Sequence, residues 1–425
     1  MDILEYIKHC TCAATTVEYA KNRLVEAGFT ELKMEEEWSI NQGEAYFINV
    51  YDTTLVAFRV GKRFGYTGMV RLATAHTDQP AIAIKANPEL NVKGYGKVNV
   101  EIYGGPILSS WFDRPLSVAG KVALKSEDVF CPTVRIVDFK RPLFTIPNLA
   151  IHMNREVNKG VEIERQKDML PLACMLEQEF NNSNFFIKAL AEELSCEVED
   201  ILDFQLYAYN CEEGSVLGLN REFIQAPRLD NITSVKACVE GLIKGYNEKV
   251  INMIALFDNE EVGNKTKQGA ASLELSYILR KLFIAISRTE EQFIEIMHRS
   301  MMVSLDVAHA YHPNYPEKAD ITNDVILNKG MVIKKAASQS YATDVRPIAV
   351  AQQICEKYNI PYQKYFNRSN IPGGSTLGSV SSTILPVNTL DAGVPVLAMH
   401  SAKELMGVKD QQFMEEFVEK YFAEK

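Results

Sequence analysis

Four apolar runs in this sequence end close to residue types that can bind a metal ion. The runs cover 69–75, 253–257, 301–305 and 394–399, and the residues that follow are His76, the pair Glu260-Glu261, Asp306 and His400. Short apolar runs bounded by polar residues are typical of buried parallel strands, and open α/β sheets bind ligands beyond the carboxyl ends of such strands. Each residue alone has an ordinary structural explanation. Four coincident strand ends predict a shared site at one edge of a sheet.

The doubled carboxylate Glu260-Glu261 is separated from its apolar run by Asp258 and Asn259. Taken alone, the pair also fits a solvated acidic turn. Adjacent side chains at a strand end point in different directions, so one glutamate can bind a metal ion while its neighbour moves a proton. The pair therefore offers a ligand and a general base, and its spacing leaves open which residue has which role.

Two aspartates add to this pattern. Asp78 lies two residues after His76, where a carboxylate can hold the second ring nitrogen of a metal-binding histidine; a turn aspartate before Pro80 is the alternative. Asp230 precedes an amphipathic segment, and its position alone indicates a helix N-cap. Two histidines with several carboxylates suit zinc, or manganese or cobalt in its place, better than calcium, which takes only oxygen ligands. Two such ions can stabilise an attacking water and the carbonyl oxygen of a scissile amide.

Two further motifs are candidates for substrate contacts. The run GGSTLG at 373–378 resembles a phosphate loop only loosely, because it lacks the Lys-Ser/Thr of a Walker A motif. It predicts a close-approach loop that opens a helix, with backbone amides around Gly374 that can bind a substrate carbonyl or an anion. His309 is expected to line the pocket, with a buried structural role as the alternative.

The elements that must position these residues follow from the periodicity. Helical spacing at 15–27 is followed by alternating apolar residues between about 90 and 150, which predict antiparallel strands. Helical patterning returns at 185–194, and helices alternate with apolar strands from about 230 to the end. This alternation predicts an α/β fold with a mainly parallel central sheet flanked by helices.

A β-rich insertion explains the domain organisation better than two tandem domains, because the chemistry needs residues from both sides of the β region. The predicted catalytic domain covers 1–84 and 221–425, and the predicted insertion covers 85–220. At 425 residues and 47% hydrophobic content, the chain exceeds the size at which one core stops growing, which favours two domains.

Composition narrows the function classes. The formal net charge of -10 argues against nucleic acid or an anionic membrane as partner and favours a small-molecule or peptide substrate. The eight cysteines include no CxxC and lack the spacing of a disulfide scaffold, so they are expected to be reduced. Acidic residues at the start argue against a signal peptide, and no apolar run reaches the ~18 residues of a membrane span. We therefore expect a soluble, cytoplasmic protein.

Together these motifs resemble the aspartyl aminopeptidase-type metallopeptidases, peptidase family M18. The matching segments, in the family's order, are AHTDQP, RLDN, FDNEEVG, SLDVAHAYHPNYPEK, GGSTLG and LAMHSAKE. Further matches at YGGPILSSWFDRPL and IPNLAIHMNR extend the resemblance over nearly the whole chain. It implies a dizinc exopeptidase-like fold and a metalloaminopeptidase, a hydrolase that removes the N-terminal residue from peptides with a free amino terminus.

The resemblance also implies a ligand set for two divalent ions per subunit, zinc with manganese or cobalt as substitutes. Asp230 would bridge the two ions. His76 and Asp306 would complete one site, and Glu261 and His400 the other. A water between the ions would attack the peptide carbonyl.

Further roles follow from the same resemblance. Glu260 would be the general base, and Asp78 would orient His76. The inserted β domain would make dimer contacts, and the dimers would assemble into a tetrahedral dodecamer in which His152 reaches a neighbouring subunit's active site. Lys334 lies where the family pattern suggests a basic residue facing the substrate side chain, with an ordinary strand lysine as the alternative.

Substrate choice stays open at this level, since the family includes enzymes that prefer acidic N-terminal residues and others that prefer neutral ones. Two positions depart from the family pattern: Asn370, where an aspartate is frequent, and Ala319-Asp320, where His-Glu is frequent. A related dizinc carboxypeptidase or deacylase would use the same ligands with a pocket for a free carboxylate. A non-catalytic assembly protein that keeps the fold is a third interpretation, but it has no need of a proton acceptor beside the ligands.

Overall fold

The computed structural model describes residues 2–176 and 184–425. The chain divides into two compact units: the first unit comprises Met1–Asp78, Gly214–Met399 and Glu404–Lys425, and the second unit comprises Gln79–Glu213 and His400–Lys403. The second unit is thus an insertion that begins and ends slightly before the predicted 85–220. It also takes in four residues from near the C-terminus, which the sequence placed in the catalytic domain.

Helices and strands fill both units. Among the described residues the α-helices are α1 (Ile3–His9), α2 (Ala13–Glu26), α3 (Arg165–Asp168), α4 (Phe185–Leu194), α5 (Leu229–Lys244), α6 (Glu274–Ala285), α7 (Glu290–Arg299), α8 (Val345–Tyr358), α9 (Leu377–Ile384) and α10 (Asp410–Ala423). The strands are β1 (Thr30–Glu31), β2 (Ala45–Val50), β3 (Thr54–Val60), β4 (Val70–His76), β5 (Ala81–Val92), β6 (Tyr95–Tyr103), β7 (Leu116–Leu124), β8 (Thr133–Asp138), β9 (Leu172–Met175), β10 (Ile201–Asn210), β11 (Ser215–Leu217), β12 (Phe223–Ala226), β13 (Ile251–Phe257), β14 (Met301–Leu305), β15 (Ala308–His309), β16 (Met331–Lys334), β17 (Tyr362–Tyr365), β18 (Asn388–Gly393), β19 (Pro395–Leu397) and β20 (Glu404–Gly407).

The first unit is built on a central sheet. Over the described residues this sheet has nine strands in the order β1-β2-β3-β13-β4-β14-β18-β16-β17. At its centre β13, β4, β14 and β18 run parallel to one another, and antiparallel pairs occur at β2–β3, β3–β13 and β16–β18. The predicted mainly parallel sheet is therefore confirmed. A second sheet of this unit has the order β11-β12-β20-β19-β15.

The central strands are mainly apolar because both faces of the sheet are covered. In β13 all seven residues are buried. Ile254 and Leu256 join a core with α1, α2, α5 and α10, whereas Met253 and Phe257 join a core with α6 and α7. Successive side chains of a strand point to opposite faces, so a strand between two helical layers favours apolar residues at nearly every position.

The second unit contains the predicted antiparallel strands. Its sheet has the order β8-β7-β10-β5-β6-β9 among the described residues, and each neighbouring pair is antiparallel. Helix α4, which matches the predicted 185–194, packs its buried Phe186 and Leu190 into the core of this unit.

No disulfide joins any of the eight cysteines, all of which lie in the described ranges. Within those ranges there is also no helix that is both long enough and apolar enough to cross a membrane.

Candidate metal centre

Three of the four predicted strand ends lie side by side at the carboxyl edge of the central sheet. Strand β4 ends at His76, β13 ends three residues before Glu260, and β14 ends immediately before Asp306. Phe257 of β13 pairs with His76 of β4, and β14 is the neighbour of β4 on its other side. Parallel pairing therefore brings the three ends together, as the sequence predicted.

For the fourth run, the predicted position in the central sheet is wrong. The run at 394–399 does not continue the central sheet; its strand is β19 in the second sheet of the first unit, and His400 itself falls in the second unit. Pro395 provides the physical reason, because proline lacks the N–H that would be needed to continue β18 between its neighbours β14 and β16, whereas it is tolerated as the first residue of a new strand, β19. The chain leaves the central sheet at Gly393, the last residue of β18.

His76 lies at the focus of two aspartates from different elements. Its Nε2 atom is 3.3 Å from Asp230 Oδ1 and 3.7 Å from Asp306 Oδ1. One donor atom from each of the three residues lies within 4.8 Å of the other two. Since zinc binds imidazole nitrogen and carboxylate oxygen at about 2.0–2.2 Å, donors at these separations can surround one ion. His76 is only 1% exposed, so the group is also shielded from water.

Asp230 reaches this position because the start of α5 is not helical. Asp230 has φ -80° and ψ 107°, and its N–H donates to Glu404 Oε2 at 2.9 Å. The side-chain amide of Asn231 donates to the Leu305 carbonyl at 3.0 Å, which ties the same turn to the end of β14. Asp230 is thus not the helix N-cap that its position alone indicates. Glu404, which the sequence analysis did not single out, lies in the LAMHSAKE segment, and that membership was the signal available.

Asp78 fixes both His76 and the glutamate pair, by different atoms. The ring Nδ1 of His76 lies 2.9 Å from the Asp78 carbonyl oxygen and 3.4 Å from Asp78 Oδ1. The N–H groups of Glu260 and Glu261 donate to Asp78 Oδ1 and Oδ2, each at 3.1 Å. Holding Nδ1 at a carbonyl directs Nε2 toward the aspartates, as in metal-binding histidines generally. The carboxylate meanwhile holds the backbone of the pair, a contact that the sequence did not reveal.

The electrostatics of the group favour a bound cation. Burial, together with the nearby Asp306, Asp78 and Asp230, raises the pKa of Glu260 to about 8, and the charge of His76 only partly opposes this. Burial alone would lower the pKa of His76, but its hydrogen bonds to the aspartates outweigh burial and hold that pKa well above its ordinary value. Carboxylates crowded in a poorly solvated place repel one another unless a cation neutralises them. The donor types and their charge therefore fit a divalent metal ion.

Asp258 is a further buried carboxylate, close to Asp78. The pKa of Asp258 is raised to about 6 by burial and by the charge of Asp78. Its oxygen atoms accept hydrogen bonds from the Asn259 N–H at 2.7 Å and from the Gln268 side-chain amide at 3.3 Å. Asp258 thereby shapes the turn between β13 and the glutamate pair. In the sequence, Asp258 is visible only as a polar residue between the apolar run of β13 and the glutamate pair.

His400 has the ring geometry of a metal ligand within its own unit. Its Nδ1 lies 3.1 Å from the Gly105 carbonyl oxygen, and its own carbonyl accepts from the Ile107 N–H at 2.9 Å. As in His76, a backbone carbonyl occupies Nδ1 and leaves Nε2 as the ligand atom. Binding of a metal ion by His400 stays a prediction.

Lys334 is buried beside the candidate ligands. It is 1% exposed on β16, and its ammonium lies 3.1 Å from the Val307 carbonyl and 3.7 Å from Asp306 Oδ2. Burial opposes its charge, but Asp306, Tyr341 and the other nearby acids outweigh this and raise its pKa. Lys334 is a residue of β16 that pairs with Asp306, which also fits the alternative of a strand lysine without a substrate contact. Contact between Lys334 and a substrate stays a prediction.

The other proposed substrate contacts are exposed. His309 is exposed on β15, 6.2 Å between ring centres from Tyr365, so the alternative of a buried structural histidine is wrong. Gly374 is exposed in the loop that opens α9, as GGSTLG predicted. His152 is exposed on a turn of the second unit. Their roles stay predictions.

Of the two departures from the family pattern, Asn370 is exposed. Asp320 accepts hydrogen bonds from the N–H groups of Thr322 and Asn323 at 3.1 and 3.0 Å and so closes a local turn. Neither belongs to the group around His76.

Comparison with known proteins places these observations in one family. Residues 6–422 match the model of the family described as aminopeptidase I zinc metalloprotease (M18). The probable M18 family aminopeptidase 2 of Clostridium novyi (strain NT) is 43% identical over 422 residues, 99% of this chain and 98% of that protein. The protein of the same description from Pseudomonas savastanoi pv. phaseolicola is 33% identical over 99% of this chain and 97% of its own length.

Solved structures share the fold. The cryo-EM structure of the Ape4 and Nbr1 complex contains a chain with a TM-score of 0.94 and 31% identity, over 99% of this chain and 84% of that one. An M18 family aminopeptidase from Thermotoga maritima has a TM-score of 0.87 at 21% identity, over 99% and 95%. A dodecamer of mApe1 from S. cerevisiae gives 0.85 at 22% identity, also over 99% and 95%.

Proposed function

Since this chain belongs to the M18 family and is therefore a hydrolase of the metal-dependent aminopeptidase class, we propose that it removes the N-terminal residue of peptides at a dinuclear metal centre. The observation that carries this proposal is the group of His76, Asp230 and Asp306, whose donor atoms lie within 4.8 Å of one another beside Glu260. A carboxylate that can accept a proton, next to a metal-binding group, is the arrangement that metal-assisted hydrolysis of an amide requires.

Each subunit would hold two zinc ions, with manganese or cobalt as substitutes. Asp230 would contribute to both ions; His76 and Asp306 would hold one, and Glu261 and His400 would hold the other. Ions bound in this way polarise the scissile carbonyl and make water a stronger acid.

The chain's own residues then move the proton and hold the geometry. Glu260 accepts the proton of the attacking water and returns it to the leaving amine, because a carboxylate beside the bound ions can act first as a base and then as an acid. Asp78 holds the backbone of Glu260 and Glu261 in place by accepting a hydrogen bond from each of their N–H groups. Acidic side chains around the centre attract the free ammonium of the substrate, which selects peptides with an unblocked amino terminus.

Assays with a panel of aminoacyl substrates test the proposal. Purified protein is analysed for metal and incubated with peptides that begin with Asp, Glu, Leu or Met, each with a free or an acetylated amino terminus. We expect bound zinc and cleavage of the free forms alone. Cleavage of the acetylated peptides would indicate a carboxypeptidase or deacylase, and no metal with no cleavage would contradict the proposal.

We also propose that the protein works in the cytoplasm as a homo-oligomer of dimers, assembled as a tetrahedral dodecamer. The dodecameric relative of the same fold supports this assembly. In it the second unit makes the dimer contacts and His152, exposed within its own chain, reaches the active site of a neighbouring subunit. The mass of the same preparation in solution tests the assembly.

Zinc is expected to stabilise the protein more at about pH 8 than at about pH 6. The pKa of Glu260 is raised from 4.5 to about 8, so the metal-free folded state holds a proton that the unfolded state has lost, and stability falls as pH rises through that window. His76 has the same sign: its contribution is complete below 6.5 and is lost as pH rises through its raised pKa. Zinc has to displace those protons when it binds, so its stabilising effect is smaller at about pH 6 and larger at about pH 8.

The measurement is the Tm of chelator-treated protein at both pH values, with and without added zinc. Glu260→Gln should reduce the pH dependence of the metal-free form. An equal rise in Tm on adding zinc at both pH values would contradict the prediction.

For substrate choice, we propose that Lys334 supplies the positive charge that an acidic N-terminal side chain requires. Its ammonium, 3.7 Å from Asp306, keeps its charge because its pKa is raised. Lys334→Ala should lower kcat/KM on aspartyl peptides about 30-fold more than on leucyl peptides, or about 2 kcal/mol. The measurement is kcat/KM on matched peptides that begin with Asp or with Leu. Equal losses would show that Lys334 serves Asp306 alone.

A further inference from the structure

A buried aspartate, Asp391, ties the glycine-rich loop to the central sheet. It lies on β18 with 0% exposure. Its Oδ1 accepts a hydrogen bond from Thr376 Oγ1 at 2.7 Å, and its Oδ2 accepts from the Ala342 N–H at 2.6 Å. The N–H of Asp391 in turn donates to Thr343 Oγ1 at 2.7 Å. One side chain thus joins the segment at 342–343 and the residue just before α9 to the same strand.

The neighbouring strand balances the charge of Asp391. Lys334 of β16 pairs with Asp391 across the antiparallel ladder. Burial raises the pKa of Asp391, and the charge of Lys334 with the hydrogen bonds from Ser304, Thr376 and Ala342 opposes that rise. Because Lys334 also faces Asp306, the carboxylate that holds the loop and a candidate metal ligand share one buried cation.

The first turn of α9 is seated directly on this carboxylate. A Cβ atom at Gly378 would lie 2.7 Å from both Asp391 Oδ1 and the Ser304 side chain, closer than real side chains approach. Glycine at 378 therefore permits the contact, and the close approach predicted for this motif occurs there. At Gly374, by contrast, an added Cβ would meet nothing within 4 Å. The loop is thus anchored where it meets α9, and it has free space at Gly374.

We propose that Asp391 is a positioning residue that holds residues 373–376 in the conformation that binds substrate, acting through the hydroxyl of Thr376. The inference rests on the proposed function, because it assumes that this loop contacts the substrate. A loop that leaves the binding conformation part of the time weakens apparent affinity by the fraction lost, while the bound complex reacts normally. The expected signature is a raised KM with kcat preserved.

Thr376→Val tests this directly, since it removes the hydroxyl at nearly constant volume and leaves a buried carboxylate oxygen without that donor. We expect KM to rise about 5- to 20-fold, with kcat within about twofold of wild type and unchanged zinc content. Thr376→Ser, which keeps the hydroxyl, should restore KM. Thr383→Val is the matched control: it makes the same change inside α9, the helix that Thr376 precedes, at a hydroxyl that donates to the Val380 carbonyl at 2.7 Å.

Hydrogen exchange of peptides covering 371–380 gives a readout that does not need activity. Exchange should be faster in Thr376→Val than in Thr376→Ser or Thr383→Val. Unchanged KM in Thr376→Val, even with a lowered Tm, would overturn the proposal, as would unchanged exchange. A wild-type protein that cleaves no substrate, with faster loop exchange only in Thr376→Val, would refute the proposed function and leave the anchoring of the loop supported.

Discussion

Replacing Glu260 with glutamine lowers kcat by about 10²- to 10⁴-fold in our expectation and leaves the metal content unchanged. The amide keeps the size and the polar contacts of the side chain but cannot accept a proton at neutral pH. Its backbone contact survives, because the N–H of Glu260, rather than its side chain, donates to Asp78. The measurement is steady-state kinetics on an aminoacyl substrate, with metal analysis of the same sample.

Glu274→Gln provides the control. The pKa of Glu274 is also raised by burial, but this residue begins α6 and is not part of the metal group. Its variant should turn over at the wild-type rate. If Glu260→Gln also kept near-wild-type turnover, Glu260 would be removed from the mechanism and the raised pKa would be no more than a result of its buried position.

Asp230→Ala should lose metal from both positions and reduce activity by more than about 10³-fold, because the proposal gives Asp230 to both ions. His400→Ala should instead keep the ion held by His76 and Asp306. The two variants therefore differ in metal stoichiometry, which elemental analysis of dialysed protein measures.

Glu404→Gln is the matched control for Asp230→Ala, since an amide oxygen can still accept the Asp230 N–H that Glu404 Oε2 accepts at 2.9 Å. It should retain both ions. Full metal content with full turnover in Asp230→Ala would contradict the assignment of Asp230 as the shared ligand.

The sequence predicted the centre of the site well where local pattern and topology coincide. The positions of His76 and Asp306 at strand ends could be predicted because strands buried on both faces give mainly apolar runs whose ends are easily seen. The assignment of Asp230 depended on the resemblance to a family, since an aspartate ahead of a helix has an ordinary explanation as a cap. Its non-helical backbone is a property of the packed structure.

Long-range polar contacts account for most of what the sequence did not show. Asp78 accepts hydrogen bonds from Glu260 and Glu261, which are separated from it by 182 and 183 positions in the sequence. Asp391 lies inside β18 and Glu404 begins β20. A single acid in a strand has no periodic signature, so only tertiary packing reveals its partners. The same limit explains the transfer of residues 400–403 to the second unit, because no compositional change marks that boundary.

The contact of Asp78 with the glutamate pair has a consequence for how such an enzyme can change. The Asp78 carboxylate accepts the N–H groups of both Glu260 and Glu261. It therefore fixes the distance between the backbone of the proposed proton acceptor and that of the proposed ligand. Loops that surround the pocket can vary and alter which peptide is accepted without changing that distance. Laboratory evolution of new substrate ranges should therefore gather substitutions in the loops and preserve Asp78.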